Sequence, residues 1–265
     1  MGPQHNFIIV GTQRTGSSAL ADAMGTHPHI ACGWEWTQHG WFADKIRRAE
    51  RGLNGDFSWL DLKNRAHMAL VLNEETRWLG FRRLFRSSDK WLGHPRFSPP
   101  LWVDRFARHL HWLRSRPDIH VIHIVRSNNL EWIKSKTLSR ENRAFVGRTY
   151  ADNPVSVDVS QALRRLASKN WVDRNLMSLA DSNPYLRIEY EEFVADETGV
   201  LDRVFSLLNC DANLHPAREK RLQKQSLRET REYLSNYDEL LETLKKHGVD
   251  MADFSQPLAH APAAE

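Results

Sequence analysis

Hydrophobic and polar positions divide this chain into short apolar runs separated by helical stripes. Residues 7–10, Phe-Ile-Ile-Val, form an uninterrupted apolar run that ends in Gly11 and a polar turn. The turn opens into a segment whose apolar positions, Ala19, Leu20, Ala23 and Met24, share one helical face. The same alternation recurs. Ile30-Ala31-Cys32 predicts a short strand after His27-Pro28, and residues 78–82 predict another. Residues 101–114 are amphipathic at helical period, and residues 120–125 form a buried strand followed by a helix that Asn128 or Asn129 caps. Residues 159–180 predict a long helix stopped by Pro184, and residues 185–190 a further strand. Residues 201–208 predict a short helix, and residues 227–248 a C-terminal helix ended by Gly248. Strands alternating with helices predict an α/β fold with a parallel sheet. No internal repeat or long linker interrupts it, so residues 1–250 read as a single domain and the Ala/Pro-rich residues 251–265 as a disordered tail.

The first apolar run carries chemistry. Strand, tight turn and helix start aim several backbone N–H groups and the positive helix end at one point. Within Gly11-Thr12-Gln13-Arg14-Thr15-Gly16-Ser17-Ser18 there are two glycines, a cation and several hydroxyls, where helix capping alone needs one hydroxyl. An anion is expected there. A nucleotide triphosphatase P-loop is excluded, because Ser17 stands where that motif requires lysine. A second anion site is read at the end of the strand over residues 120–125, where Arg126 is followed nine residues later by Ser135. An arginine fork and a hydroxyl suit a dianionic monophosphate, although Arg126 alone is equally a strand-end salt bridge. Glu35 falls just beyond the second strand, at the sheet end where α/β proteins bind ligands. Its neighbours Trp34 and Trp36 favour a raised carboxylate pKa and a role as base. His27, His29 and His39 compete for that role or serve as turn and surface residues.

Charge and composition narrow the partners. The net charge of +4 is uneven, since residues 101–150 hold ten Lys/Arg against four Asp/Glu. Such a stretch suits nucleic acid, an acidic membrane or a polyanionic small molecule, and with no nucleic-acid module recognisable the small molecule leads. Two cysteines, Cys32 and Cys210, make no disulfide framework, and no Cys/His spacing matches a metal site. No apolar run approaches the ~20 residues of a membrane helix and no signal peptide is visible, so a cytoplasmic protein is expected. Seven of the ten tryptophans lie between residues 34 and 102, and Trp34, Trp36 and Trp41 are candidate walls of an acceptor pocket. Residues 87–100, with Gly93, Pro95, Pro99 and Pro100, read as a loop suited to a lid.

Gln-Arg-Thr-Gly-Ser-Ser resembles the 5′-phosphosulfate-binding loop of the sulfotransferases. Arg126-Ser127-Asn128-Asn129-Leu130 with Ser135 downstream resembles their 3′-phosphate motif, in the same order along the chain. The pattern resembles that of the bacterial trehalose- and carbohydrate-type enzymes. The resemblance implies a P-loop-NTPase-like parallel sheet flanked by helices, with helical insertions. It also implies transfer of a sulfuryl group from 3′-phosphoadenosine-5′-phosphosulfate (PAPS) to a hydroxyl or amine of a carbohydrate or small molecule. On that reading Arg14, Thr15, Gly16, Ser17 and Ser18 hold the phosphosulfate, Arg126 and Ser135 hold the 3′-phosphate, Glu35 is the general base, and no metal is needed. Residues 188–193 resemble a family element on the adenine side and are assigned to fold. Lys224 and Gln225 fall where the family covers the nucleotide, and Arg82 replaces the family's usual lysine. Two other readings remain. A divergent P-loop-like kinase would need magnesium and an aspartate after a strand, but Val125 is followed by Arg126 and Ile188 by Glu189. A non-catalytic nucleotide-binding protein would have no need of Glu35.

Overall fold

The computed structural model describes residues 5–33, 78–85, 101–141, 153–214 and 229–249. Glu35, His39, Trp34, Trp36, Trp41, the loop at residues 87–100, Lys224, Gln225 and the tail at residues 251–265 lie outside them.

Five strands form one sheet among the described residues: β1 (His5–Thr12), β2 (Ile30–Gly33), β3 (Trp78–Phe85), β4 (Ile119–Val125) and β5 (Tyr185–Glu189). Their order is β2-β3-β1-β4-β5 and every pairing is parallel. Parallel sheets are covered on both faces, which is why β1 carries an unbroken apolar run and β4 is apolar apart from His120 and His123. Phe7, Ile8, Ile9 and Val10 are all wholly buried. The expected α/β class with a parallel sheet between helices is what the chain adopts.

Successive residues of β1 point to opposite faces. Phe7 and Ile9 pack with α1 (Ser17–Met24), α5 (Tyr190–Ala195) and α6 (Glu197–Leu207). Ile8 and Val10 pack with α2 (Leu101–Arg114) and α4 (Val159–Met177). Helix α3 (Asn129–Glu141) packs with α4 and α8 (Tyr237–Lys246) through Trp132, Ile133, Leu166, Leu240 and Leu244. Each fully buried side chain of this size contributes about 1.5–3 kcal/mol. The helix that opens after β1 thus goes to one face and the helix after β4 goes toward the other. The neighbouring C-terminal ends of β1 and β4 are therefore the switch point at which such sheets bind ligands.

Three readings of the pattern are corrected. The C-terminal stretch is two helices, α7 (Thr230–Tyr233) and α8, because Leu234 turns extended to bridge Val155 while Asn236 bonds both the N–H and the carbonyl of Val157. The short helix α6 starts four residues earlier than its apolar spacing implies, since the Asp196 side chain caps it by accepting from Gly199 N–H. The long helix α4 stops at Met177 and tightens into a 3₁₀ turn, Ser178–Asp181, before Pro184. Gly248, with φ 64°, terminates α8 as expected.

Candidate functional site

The turn after β1 is built on two left-handed residues. Gly16 (φ 83°) is the N-cap of α1, and Arg14 (φ 70°) adopts a conformation that costs a non-glycine residue roughly 1–2 kcal/mol. Thr15 is buried and its hydroxyl donates to the Thr12 carbonyl (2.9 Å), closing the turn on itself. With Gly16 as cap, α1 has no side-chain bond at its N-cap position, and the Gly16 carbonyl accepts from Ala19 and Leu20 N–H. The first amides of α1 thus open onto the turn with the positive end of the helix behind them. Gly11 lets β1 pass close to β4, because a Cβ there would lie 2.4 Å from the Ile124 carbonyl oxygen.

Helix α3 lies against this turn and holds it at three points. The Trp132 indole N–H donates to the Gln13 carbonyl (2.7 Å), Lys136 Nζ donates to Gln13 Oε1 (2.5 Å), and Arg14 Nε donates to Ser135 Oγ (2.9 Å). Of the two asparagines that could cap α3, Asn128 does so, its side chain accepting from Glu131 N–H (2.9 Å). The two predicted anion motifs are therefore in direct contact: Ser135, from the second, touches Arg14, from the first.

Arg126 is 93% buried beside this contact, its residual exposure being 7%. One terminal nitrogen donates to the Arg14 carbonyl (3.3 Å) and the other to Glu131 (3.2 Å), while the guanidinium lies over the Tyr190 ring, 4.6 Å from its centroid. Its Nε is 3.9 Å from Glu191 and, buried, has no hydrogen-bond partner. Glu191 is occupied elsewhere, accepting from the N–H groups of Ser127 and Asn128 (3.1 Å each). A buried guanidinium edge without an acceptor fits an incoming oxyanion. Arg126 thus has the strand-end salt bridges of the alternative reading and an unused donor besides.

Glu131, Lys134, Trp132, Lys136, Tyr190 and Glu191 were not singled out by sequence. Glu131 faces Lys134 Nζ (2.5 Å) and the Thr230 hydroxyl as well as Arg126. Burial works against its ionisation, but Lys134, Thr230 and Arg126 together outweigh burial and hold the carboxyl below its ordinary value near 4.5. The i, i+3 spacing of Glu131 and Lys134 was the available signal. Residues 188–193, assigned to fold alone, also reach the site: Tyr190 is the platform under Arg126 and the wall against Gly16. A Cβ on Gly16 would stand 2.3 Å from the Tyr190 ring. Gly16→Ala therefore combines left-handed strain with a clash, and a Tm lower by roughly 4 °C or more is expected at 2–4 °C per kcal/mol. A thermal melt matching wild type would show that Tyr190 yields.

His27 is buried, contrary to a surface role. Its ring packs on Phe205 (4.8 Å) and its two nitrogens contact the Asp211 carbonyl (2.9 Å) and His29 N–H (3.1 Å). Arg82 falls in β3 in register with Ile9. Among the described residues no group of three or more His, Cys, Asp or Glu could hold a metal, and no helix is long and apolar enough to cross a membrane.

No curated protein matches the chain. Solved structures to which the chain is similar include a sulfotransferase from Alicyclobacillus acidocaldarius (15% identity, TM-score 0.48), the match covering 93% of this chain and 92% of that one. A second is the sulfotransferase domain of the Synechococcus PCC 7002 olefin synthase (14%, 0.42), covering 100% of this chain and 91% of its own. A third is the sulfotransferase domain from the curacin biosynthetic pathway (11%, 0.42), covering 97% and 94%. The model of the Sulfotransferase family matches residues 6–216, a span that contains the turn after β1, β4, α3 and the Tyr190–Glu191 element. The chain belongs to the sulfotransferase family and is an enzyme of sulfuryl transfer.

Proposed function

We propose that this enzyme takes the sulfuryl group from PAPS and passes it in line to a hydroxyl or amine of a carbohydrate or other small molecule. The observation that carries the reading is the buried, unpartnered Arg126 Nε beside the Gln13–Ser18 turn, two sets of donors suited to anions at neighbouring strand ends. The acceptor oxygen attacks sulfur as the bond from sulfur to the bridging phosphate oxygen breaks, so negative charge grows on that oxygen. Positioned donors act on such charge without reorganising. Arg14 and the amides of Thr15, Gly16, Ser17 and Ser18 are the donors aimed there. Glu35 takes the acceptor proton, a role resting on its place after β2 and its tryptophan neighbours. Arg126 and Ser135 take the 3′-phosphate. Ser135 does so by exchanging its contact with Arg14.

The test is calorimetric titration with adenosine 3′,5′-bisphosphate beside adenosine 5′-monophosphate and ATP–magnesium. Binding that needs the 3′-phosphate is expected. In Arg126→Ala it should weaken by about 10- to 100-fold, the 1.5–3 kcal/mol of a hydrogen bond to a charged group. Equal affinity for the monophosphate, or preference for ATP–magnesium, would overturn the donor assignment.

A further inference from the structure

Arg126 is a long side chain whose useful edge depends on what holds the rest of it. Of its two partners with full charge, Glu191 has both carboxylate oxygens on the Ser127 and Asn128 amides and approaches Arg126 only to 3.9 Å. Glu131 is the carboxylate that hydrogen-bonds the guanidinium, at the terminal nitrogen on the side away from the Arg14 carbonyl contact. The arrangement leaves Nε as the guanidinium nitrogen without a hydrogen-bond partner.

Glu131 is itself fixed from outside the two phosphate motifs. Lys134, 1% exposed, donates to it from one turn along α3, and the Thr230 hydroxyl donates to it from the first residue of α7. Lys134 also donates to Thr230 (3.0 Å), which closes a triangle. The segment bearing Thr230 is tied down at several points. A capping box between Glu229 and Glu232 starts α7, Tyr233 is buried, Leu234 bridges Val155, and Asn236 is bonded to both backbone groups of Val157.

We propose that Glu131 is a positioning residue that presents Arg126 to the donor, and that Thr230 and Lys134 make the C-terminal segment 229–249 the support of that contact. The inference rests on the donor reading above, in which Arg126 meets the 3′-phosphate. Its physical content is preorganisation: a guanidinium already ordered by a carboxylate, a carbonyl and an aromatic face loses little freedom on binding. Lys134 offsets the negative charge that Glu131 would otherwise set against the incoming phosphate.

The experiment compares adenosine 3′,5′-bisphosphate with adenosine 5′-monophosphate by calorimetry on the full chain carrying Glu131→Gln, Thr230→Val or Thr230→Ser. Glu131→Gln is expected to weaken the bisphosphate by about tenfold and the monophosphate by no more than about twofold, the size of one charge-assisted contact in a coupled network. Thr230→Val should move the same ratio by about threefold, and Thr230→Ser, which keeps the hydroxyl, should restore it. Thr230 is only half-buried, so its valine variant carries the test should Glu131→Gln not fold. Equal losses on both ligands would mean a merely structural role, and tighter bisphosphate binding would mean that Glu131 only competes with phosphate. Thr230→Val indistinguishable from wild type would remove the C-terminal segment from the argument. Any of the three overturns the inference. A wild-type preference for the 3′-phosphate that survives Glu131→Gln sinks this inference alone. Absence of that preference in wild type, with Arg126→Ala silent, sinks the donor reading and this inference with it.

Discussion

Arg14→Ala and Arg14→Gly are both expected to lower kcat by about 10²–10³-fold, the loss seen when one donor aimed at developing negative charge is removed. The measurement is release of adenosine 3′,5′-bisphosphate from the donor, with an acceptor that supports turnover. The two variants separate chemistry from folding. Arg14 occupies φ 70°, so glycine relieves the left-handed penalty while alanine retains it. Each loses the bond from Nε to Ser135 Oγ, worth about 1 kcal/mol in net terms. Arg14→Gly should therefore melt within a few degrees of wild type, while Arg14→Ala melts lower. Arg14→Lys keeps the charge but not the planar fork, and should retain more activity than either. If the activity of the two small variants instead tracked their melting temperatures, Arg14 would be a residue of the turn and not of the reaction. The strain itself argues for the reaction, because a glycine at this position would serve the backbone better.

The parts of this site that were visible in the sequence are those where local pattern and chemistry coincide. Residues 7–10, with β-branched residues running into glycine, read as a covered parallel strand, and the turn that follows then opens at the sheet's C-terminal edge. The Asn128-Asn129 pair announced its helix, and Asn128 proved to be the cap. Contacts made by residues far apart in sequence were not visible. Nothing in the local pattern links Thr230 to Glu131 or Tyr190 to Gly16, since sequence periodicity reports which face of an element is buried and not what it is buried against. Lys134 shows the same limit. A lysine within a helix reads as solvated, yet here it is enclosed because two oxygens meet it there. The break between α7 and α8 was hidden for a related reason. Residues 227–248 have helical periodicity throughout, and the side chain of Asn236 and the strand-like turn of Leu234 override it by pairing with residues 155–157.

Lys134→Met is the change expected to cost the fold most. It keeps the bulk of a fully buried side chain and removes the nearest positive charge facing Glu131, leaving the carboxylate short of its closest charged partner. Breaking a buried pair from one side costs about 3–5 kcal/mol, and at roughly 2–4 °C per kcal/mol the Tm should fall on the order of 10 °C. Adding Glu131→Gln to Lys134→Met should recover part of that loss, because the orphaned charge is gone. Full recovery is not expected, since Arg126 and Thr230 also bond Glu131. The pH dependence has a definite sign. In the wild type the Glu131 carboxyl is held below its ordinary value near 4.5, so the stability it contributes is complete above that pH and is lost as pH falls through the lowered value. Without Lys134, burial gains over the remaining partners and the carboxyl titrates higher, so protonation relieves the variant before it harms the wild type. The gap between the two proteins should be widest near neutral pH and narrow as acid is added, measured by denaturant unfolding at each pH. A gap independent of pH would place the damage in the packing of α3 against Tyr233, the ring 5.8 Å from Lys134 Nζ, and not in the charge.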